Sequence, residues 1–233
     1  MEDIYEDQFL KLQVRDEVSN PEGPILLSFT GVGHAMGGVD VQQVEFFGAG
    51  RDFANVIFIM DLTRSWGNAL DIDLLKEKLA PYIEGRQIYA IGNSMGGFLS
   101  VLLSNFITID VVVAIVPQFS VSPNVVPHEN RWKEYRDEIK EYRFESLEGK
   151  FVPGTKYYLL SSGLGQDVMH WLHFPTRPNV YNYVFQNVDH NLAARLKTHG
   201  HLNSILQQCF DETFDHRLFN QNSHIKARRI YSD

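Results

Sequence analysis

The chain has 233 residues, 44% of them hydrophobic and 21% charged, which is enough apolar surface for a sizeable core in one large domain. Its formal net charge is −8, so it offers no basic field to a phosphate backbone and nucleic acid is not an expected partner. Cys209 is the only cysteine, which rules out an intramolecular disulfide and a cysteine-based metal site.

The N-terminal MEDIYEDQFLK is acidic and lacks the apolar run of a secretory signal. The longest apolar stretch, 111–117, is far too short to span a membrane, so a soluble, cytoplasmic protein is expected. Residues 23–29 (GPILLSF) read as a buried strand running into a glycine-rich TGVGHAMGG. Helical spacing of Val44, Phe46, Phe47 and Phe53 predicts a helix over 41–53. A second strand, 55–60 (NVIFIM), ends at Asp61, and Leu74, Leu75, Leu79 and Tyr82 share one face of a helix over 70–83. A third strand, 86–91 (RQIYAI), leads to a helix over 95–106, and 110–116 (DVVVAIV) is the fourth strand.

Residues 120–150 break this rhythm. They are polar and charged, and too many for an ordinary connection, so they form an inserted cap helix or a flap. Arg131 and Trp132 lie in this segment, able to reach over a site or simply to sit on an amphipathic helix. The alternation resumes with 155–161 (TKYYLLS), a loop carrying Asp167, a strand over 179–188 and a last helix over 191–208. Beyond it no period is visible, and Lys226, Arg228 and Arg229 read as a solvated basic tail. Strands that are apolar throughout are buried on both faces. The expectation is therefore an α/β fold, a mostly parallel sheet flanked by helices on both faces.

One stretch carries chemistry. In IYAIGNSMGGFLS (88–100), a strand runs through Gly92-Asn93-Ser94-Met95-Gly96 into an apolar helix. A serine hydroxyl is a weak nucleophile until a base takes its proton and donors stabilise the oxyanion. Glycines permit the very tight strand-to-helix turn that presents such a serine. The Met95 N–H, free at the helix start, is aimed to serve as one oxyanion donor.

These residues resemble the α/β-hydrolase superfamily, and the likeness covers most of the chain. The resemblance implies a triad in the chain order serine, acid, histidine. Asp167, after the strand two beyond the serine strand, fills the acid position, with Asp189 as its rival. His190, after the next strand, fills the base position, whereas His34 and His128 come too early and His170 and His173 too close to Asp167. The family pattern also carries the second oxyanion donor onto Val32, although the histidine common before that glycine is Thr30 here.

Weaker substrate-binding candidates line the carboxyl edge of the expected sheet: His34, Asp61, Arg64, Trp66 and Gln118. No grouping has metal-ligand spacing, and TGVGHAMGG lacks both the dinucleotide and the P-loop patterns. The expected activity is a serine hydrolase acting on a small-molecule or saccharide ester without a cofactor. The alternative is an O-acyltransferase to a sugar or polysaccharide hydroxyl, with acetyl-CoA as the acyl donor. A further alternative is a non-catalytic interaction domain on the same scaffold.

Overall fold

The computed structural model describes residues 1–15, 23–33, 42–50, 53 and 55–231. Its centre is a nine-stranded sheet built from β1 (Glu2–Glu6), β2 (Leu10–Val14), β3 (Ile25–Phe29), β4 (Asn55–Asp61), β5 (Ile88–Asn93), β6 (Val111–Ile115), β7 (Lys156–Ser162), β8 (Val180–Gln186) and β9 (Lys226–Ile230). The strand order is β1-β2-β4-β3-β5-β6-β7-β8-β9. The run from β4 to β8 is parallel, while β2 and β9 pair antiparallel with its two outer strands.

The helices are α1 (Ile72–Ile83), α2 (Met95–Leu103), α3 (Lys133–Arg136), α4 (Asp167–Trp171), α5 (Leu192–Thr198), α6 (Leu202–Phe210) and α7 (His216–Asn222). Successive residues of a strand point to opposite faces, so each central strand feeds two cores. Leu27, Ile57 and Val112 pack with α1 and α2 on one face. Leu26, Phe58 and Val113 pack with α5 and α6 on the other.

Helix α2 is buried at all nine positions, which is why it is apolar all round. Its outer side is covered by residues 120–150, whose Val121 and Leu147 join the same core and whose Phe144 meets Phe106 edge-on at 5.9 Å. The one helix of that segment, α3, has four residues, and the rest is turns and irregular chain. Side chains hold it down, as where Asn68 Oδ1 takes the Phe144 N–H at 2.8 Å and Arg143 donates to the Leu70 carbonyl at 3.0 Å.

The helix expected over 41–53 is absent from the described residues 42–50. Residues 42–46 are irregular and a single 3-10 turn covers Phe47–Gly50. Glu45 ties this stretch to the carboxyl end of β3 and the loop after it. The Glu45 carboxyl takes the Gly31 N–H, its carbonyl takes the Ser28 hydroxyl, and Phe46 turns left-handed at φ 59°. The helix expected over 191–208 is two, α5 and α6, broken at Gly200 with φ +73°. Asp167 opens the short α4 rather than sitting in a loop. Lys226, Arg228 and Arg229 belong to β9 and are no loose tail, the Arg229 guanidinium lying 4.4 Å from the Tyr181 ring centroid. Among the described residues, no helix is long and apolar enough to cross a membrane.

Candidate active site

Ser94 stands between β5 and α2 with φ 55° and ψ −115°, a conformation costly for a residue with a side chain. Two backbone bonds hold it there, from its N–H to the Ile115 carbonyl at 2.9 Å and from Phe98 N–H to its carbonyl at 3.1 Å. The turn closes only because its neighbours have no side chains. A Cβ on Gly92 would stand 2.1 Å from the Gly96 carbonyl oxygen, and one on Gly96 would stand 2.2 Å from the Phe29 carbonyl oxygen. Val116, at the end of the next strand, is also left-handed at φ 41°. Backbone strain is thus gathered at the carboxyl edge of the sheet.

Around Ser94 the structure brings together residues far apart in sequence. The Ser94 hydroxyl lies 2.9 Å from His190 Nε2, and His190 Nδ1 lies 2.8 Å from Asp167 Oδ1. A carboxylate only accepts, so the Nδ1–H points at Asp167 and the Nε2 lone pair is left for the serine proton. Burial alone would raise the Asp167 pKa. The hydrogen bond and charge of His190, together with Arg131, outweigh it and hold the carboxyl below its ordinary range. Ser94 and Asp167 are each 4% exposed, while the His190 side chain keeps 23% of its surface in contact with solvent. Asp189, the rival acid, turns away to accept the Asn191 N–H at 3.0 Å.

The expected oxyanion donors flank this line. Met95 opens α2, and its N–H has no partner among the described residues. Val32 is buried and its N–H too has no partner among the described residues, while its carbonyl takes Arg64 Nε at 3.3 Å. Its loop is pressed backbone to backbone on the serine turn, since a Cβ on Gly31 would meet the Asn93 carbonyl oxygen at 3.0 Å. Beneath the loop lies Glu45, whose Oε1 accepts the Gly31 N–H at 3.1 Å and whose pKa burial pushes up to about 7.

The weaker candidates divide. Gln118 Oε1 accepts the Trp66 indole N–H at 3.0 Å and lies 3.3 Å from the Ser94 hydroxyl, so Gln118 touches Ser94 and Trp66 holds Gln118 in place. Arg64 spans from the Val32 carbonyl to the face of Tyr135, 5.1 Å from its centroid. Asp61 faces no site. It is fully buried and takes the Ser65 N–H and hydroxyl, the Gly67 N–H and the Thr63 hydroxyl, holding the turn on which Arg64 and Trp66 sit. His34 lies outside the described residues.

Nothing in the sequence marks Glu45 or Glu129, His170 is set aside there only as too close to Asp167, and Arg131 is left undecided. Arg131 Nη1 donates to Asp167 Oδ1 at 2.8 Å, and its remaining donors grip Glu129. His170 is buried, with Nε2 2.7 Å from Glu129 Oε2 and Nδ1 accepting the Phe119 N–H at 3.2 Å. A Glu-x-Arg in a polar stretch has no period to betray it; only the burial of both side chains does. Among the described residues, no group of three or more acidic, histidine or cysteine side chains has metal-binding geometry.

A parallel sheet with an antiparallel strand inserted between β1 and β4, a tight serine turn after β5, and an acid and a histidine after β7 and β8 define the fold: it is that of the α/β hydrolases. Solved structures agree at the level of fold. The chain is similar to the capsule O-acetyltransferase of Neisseria meningitidis serogroup A with a TM-score of 0.56 and 10% identity, over 87% of this chain and 93% of that one. A variant of that enzyme in complex with CoA matches with a TM-score of 0.57 and 10% identity, over 85% and 93% of the two chains. A putative dipeptidyl aminopeptidase IV from Bacteroides ovatus matches with 0.53 and 17% identity, over 88% of this chain and 34% of that one. No protein-family model matches the sequence, and no curated protein matches it.

Proposed function

We infer that the protein is a serine-dependent acyl-transfer enzyme that hydrolyses an ester or related acyl bond. The observation that carries this is the hydrogen-bonded line Asp167–His190–Ser94 ending on a strained serine at the head of α2. Ser94 gives its proton to His190 Nε2 as its oxygen attacks the acyl carbonyl. The Met95 and Val32 N–H groups take the oxyanion of the tetrahedral intermediate. His190 returns the proton to the departing alcohol, leaving the acyl group on Ser94. Water then enters by the same steps in reverse order and releases the acid. Asp167 stays ionised throughout and fixes the His190 tautomer.

The second reading keeps these residues and replaces water by a sugar or polysaccharide hydroxyl, with acetyl-CoA as donor. Its support is the match to a capsule O-acetyltransferase over 93% of that chain. Release of p-nitrophenol from p-nitrophenyl acetate, with and without added saccharides, tests both. The expected result is turnover that Ser94→Ala loses. Product partitioning onto the saccharide would favour transfer, and undiminished turnover by Ser94→Ala would overturn both readings.

A further inference from the structure

Asp167 carries two donors on one oxygen. His190 Nδ1 and Arg131 Nη1 each lie 2.8 Å from Oδ1, and Oδ2 has no partner among the described residues. Orienting a histidine needs only the first of these contacts, so a half-buried arginine on the same atom calls for its own account.

Arg131 comes from the irregular 120–150 segment and is gripped there by Glu129. Its Nε lies 2.9 Å from Oε1 and its Nη2 2.6 Å from Oε2, a fork that matches the carboxylate plane. Glu129 is itself fixed: His170 Nε2–H donates to Oε2, and Arg136 donates to its backbone carbonyl. The Phe119 N–H on Nδ1 sets the His170 tautomer. Burial opposes ionisation of Glu129, but His170 and Arg131 outweigh it and keep the carboxyl well below the usual range. Burial holds the His170 pKa down, so that ring is neutral. Charge therefore alternates along the chain of contacts: negative at Glu129, positive at Arg131 and negative at Asp167. His190 turns positive when it takes the serine proton. Among the described residues, its sequence neighbour Asp189 is engaged with the Asn191 N–H.

We propose that Arg131 and Glu129 are positioning residues acting through Asp167: the arginine locks the carboxylate against His190, and Glu129 cancels the field of the arginine at the imidazole. The proposal rests on the serine relay described above. An arginine left alone within about 6 Å of the imidazole would disfavour its protonated form. Without the arginine, two carboxylates would over-stabilise that form and leave Asp167 free to turn. The neutral pair keeps the geometry without either bias.

The two halves of the pair thus have opposite electrostatic effects, which simple damage to the site would not produce. The readout is the pH dependence of the rate at which a fluorophosphonate modifies Ser94, which needs no knowledge of the natural substrate. Arg131→Met is expected to move the acid limb of that profile upward by about one pH unit, and Arg131→Lys to bring it back. Glu129→Gln is expected to move it downward by about half a unit. Limbs that stay put, or that move in the same direction in Arg131→Met and Glu129→Gln, overturn the proposal. Should Glu129→Gln not fold, the Met and Lys variants carry the test: a limb raised by Met and restored by Lys supports it, and equal limbs overturn it. Ser94→Ala separates the two levels, since labelling that persists in it defeats the serine relay itself. Labelling confined to Ser94 with unmoved limbs defeats only the role of Arg131 and Glu129.

Discussion

At the scale of single residues, the site depends on atoms that are missing as much as on those present. Gly92 and Gly96 let β5, α2 and the end of β3 approach within backbone contact, and the strained Ser94 exists only inside that vice. A methyl group at Gly96 would overlap the Phe29 carbonyl oxygen, and a main-chain atom has nowhere to retreat. Gly96→Ala should therefore cost at least about 2 kcal/mol, read as a lowered denaturant midpoint. An unchanged midpoint would show that the turn is looser than described. That Ser94, Asp167 and His190 each follow a buried strand was legible in sequence, because those strands are apolar runs. The Arg131 and Glu129 contacts were not, because a polar stretch without periodicity says nothing about which of its side chains turn inward.

At the scale of elements, legibility follows burial. Strands β3 to β8 announce themselves as apolar runs because both of their faces are covered. β1 and β9 escape because they are short, charged edge strands whose sequences, EDIYE and KARRI, look like solvated chain. The 42–50 connection was misjudged as helix because its apolar spacing is real, yet Glu45 is drawn to the Gly31 N–H and breaks the period.

That carboxyl makes the connection sensitive to pH. Its folded pKa is raised from 4.5 to about 7 by burial, so the unfolded chain releases the proton first. The stability it contributes is full below pH 4.5 and is lost as pH rises through about 7. Glu45→Gln keeps an acceptor for Gly31 but cannot ionise. Denaturant titrations between pH 4.5 and 8 should therefore show the variant gaining on the wild type as pH rises. A constant difference across that range would contradict the raised pKa.

At the scale of the molecule, the sheet acts as a device for convergence. Parallel strands deliver every loop that matters to one edge, so Ser94, Gln118, Asp167 and His190 meet although the outermost two are 96 residues apart. The 120–150 segment closes the ring from outside: Phe119 binds His170, His170 binds Glu129, and Arg131 returns to Asp167. The segment covers α2 and reaches Asp167 through Arg131. On the proposed function, this convergence makes Ser94 a nucleophile. Labelling the intact protein with a fluorophosphonate, followed by peptide mapping, tests it most directly. One modified peptide is expected, carrying the adduct on Ser94, with no adduct in Ser94→Ala. An adduct on another residue, or labelling that survives in Ser94→Ala, would contradict it.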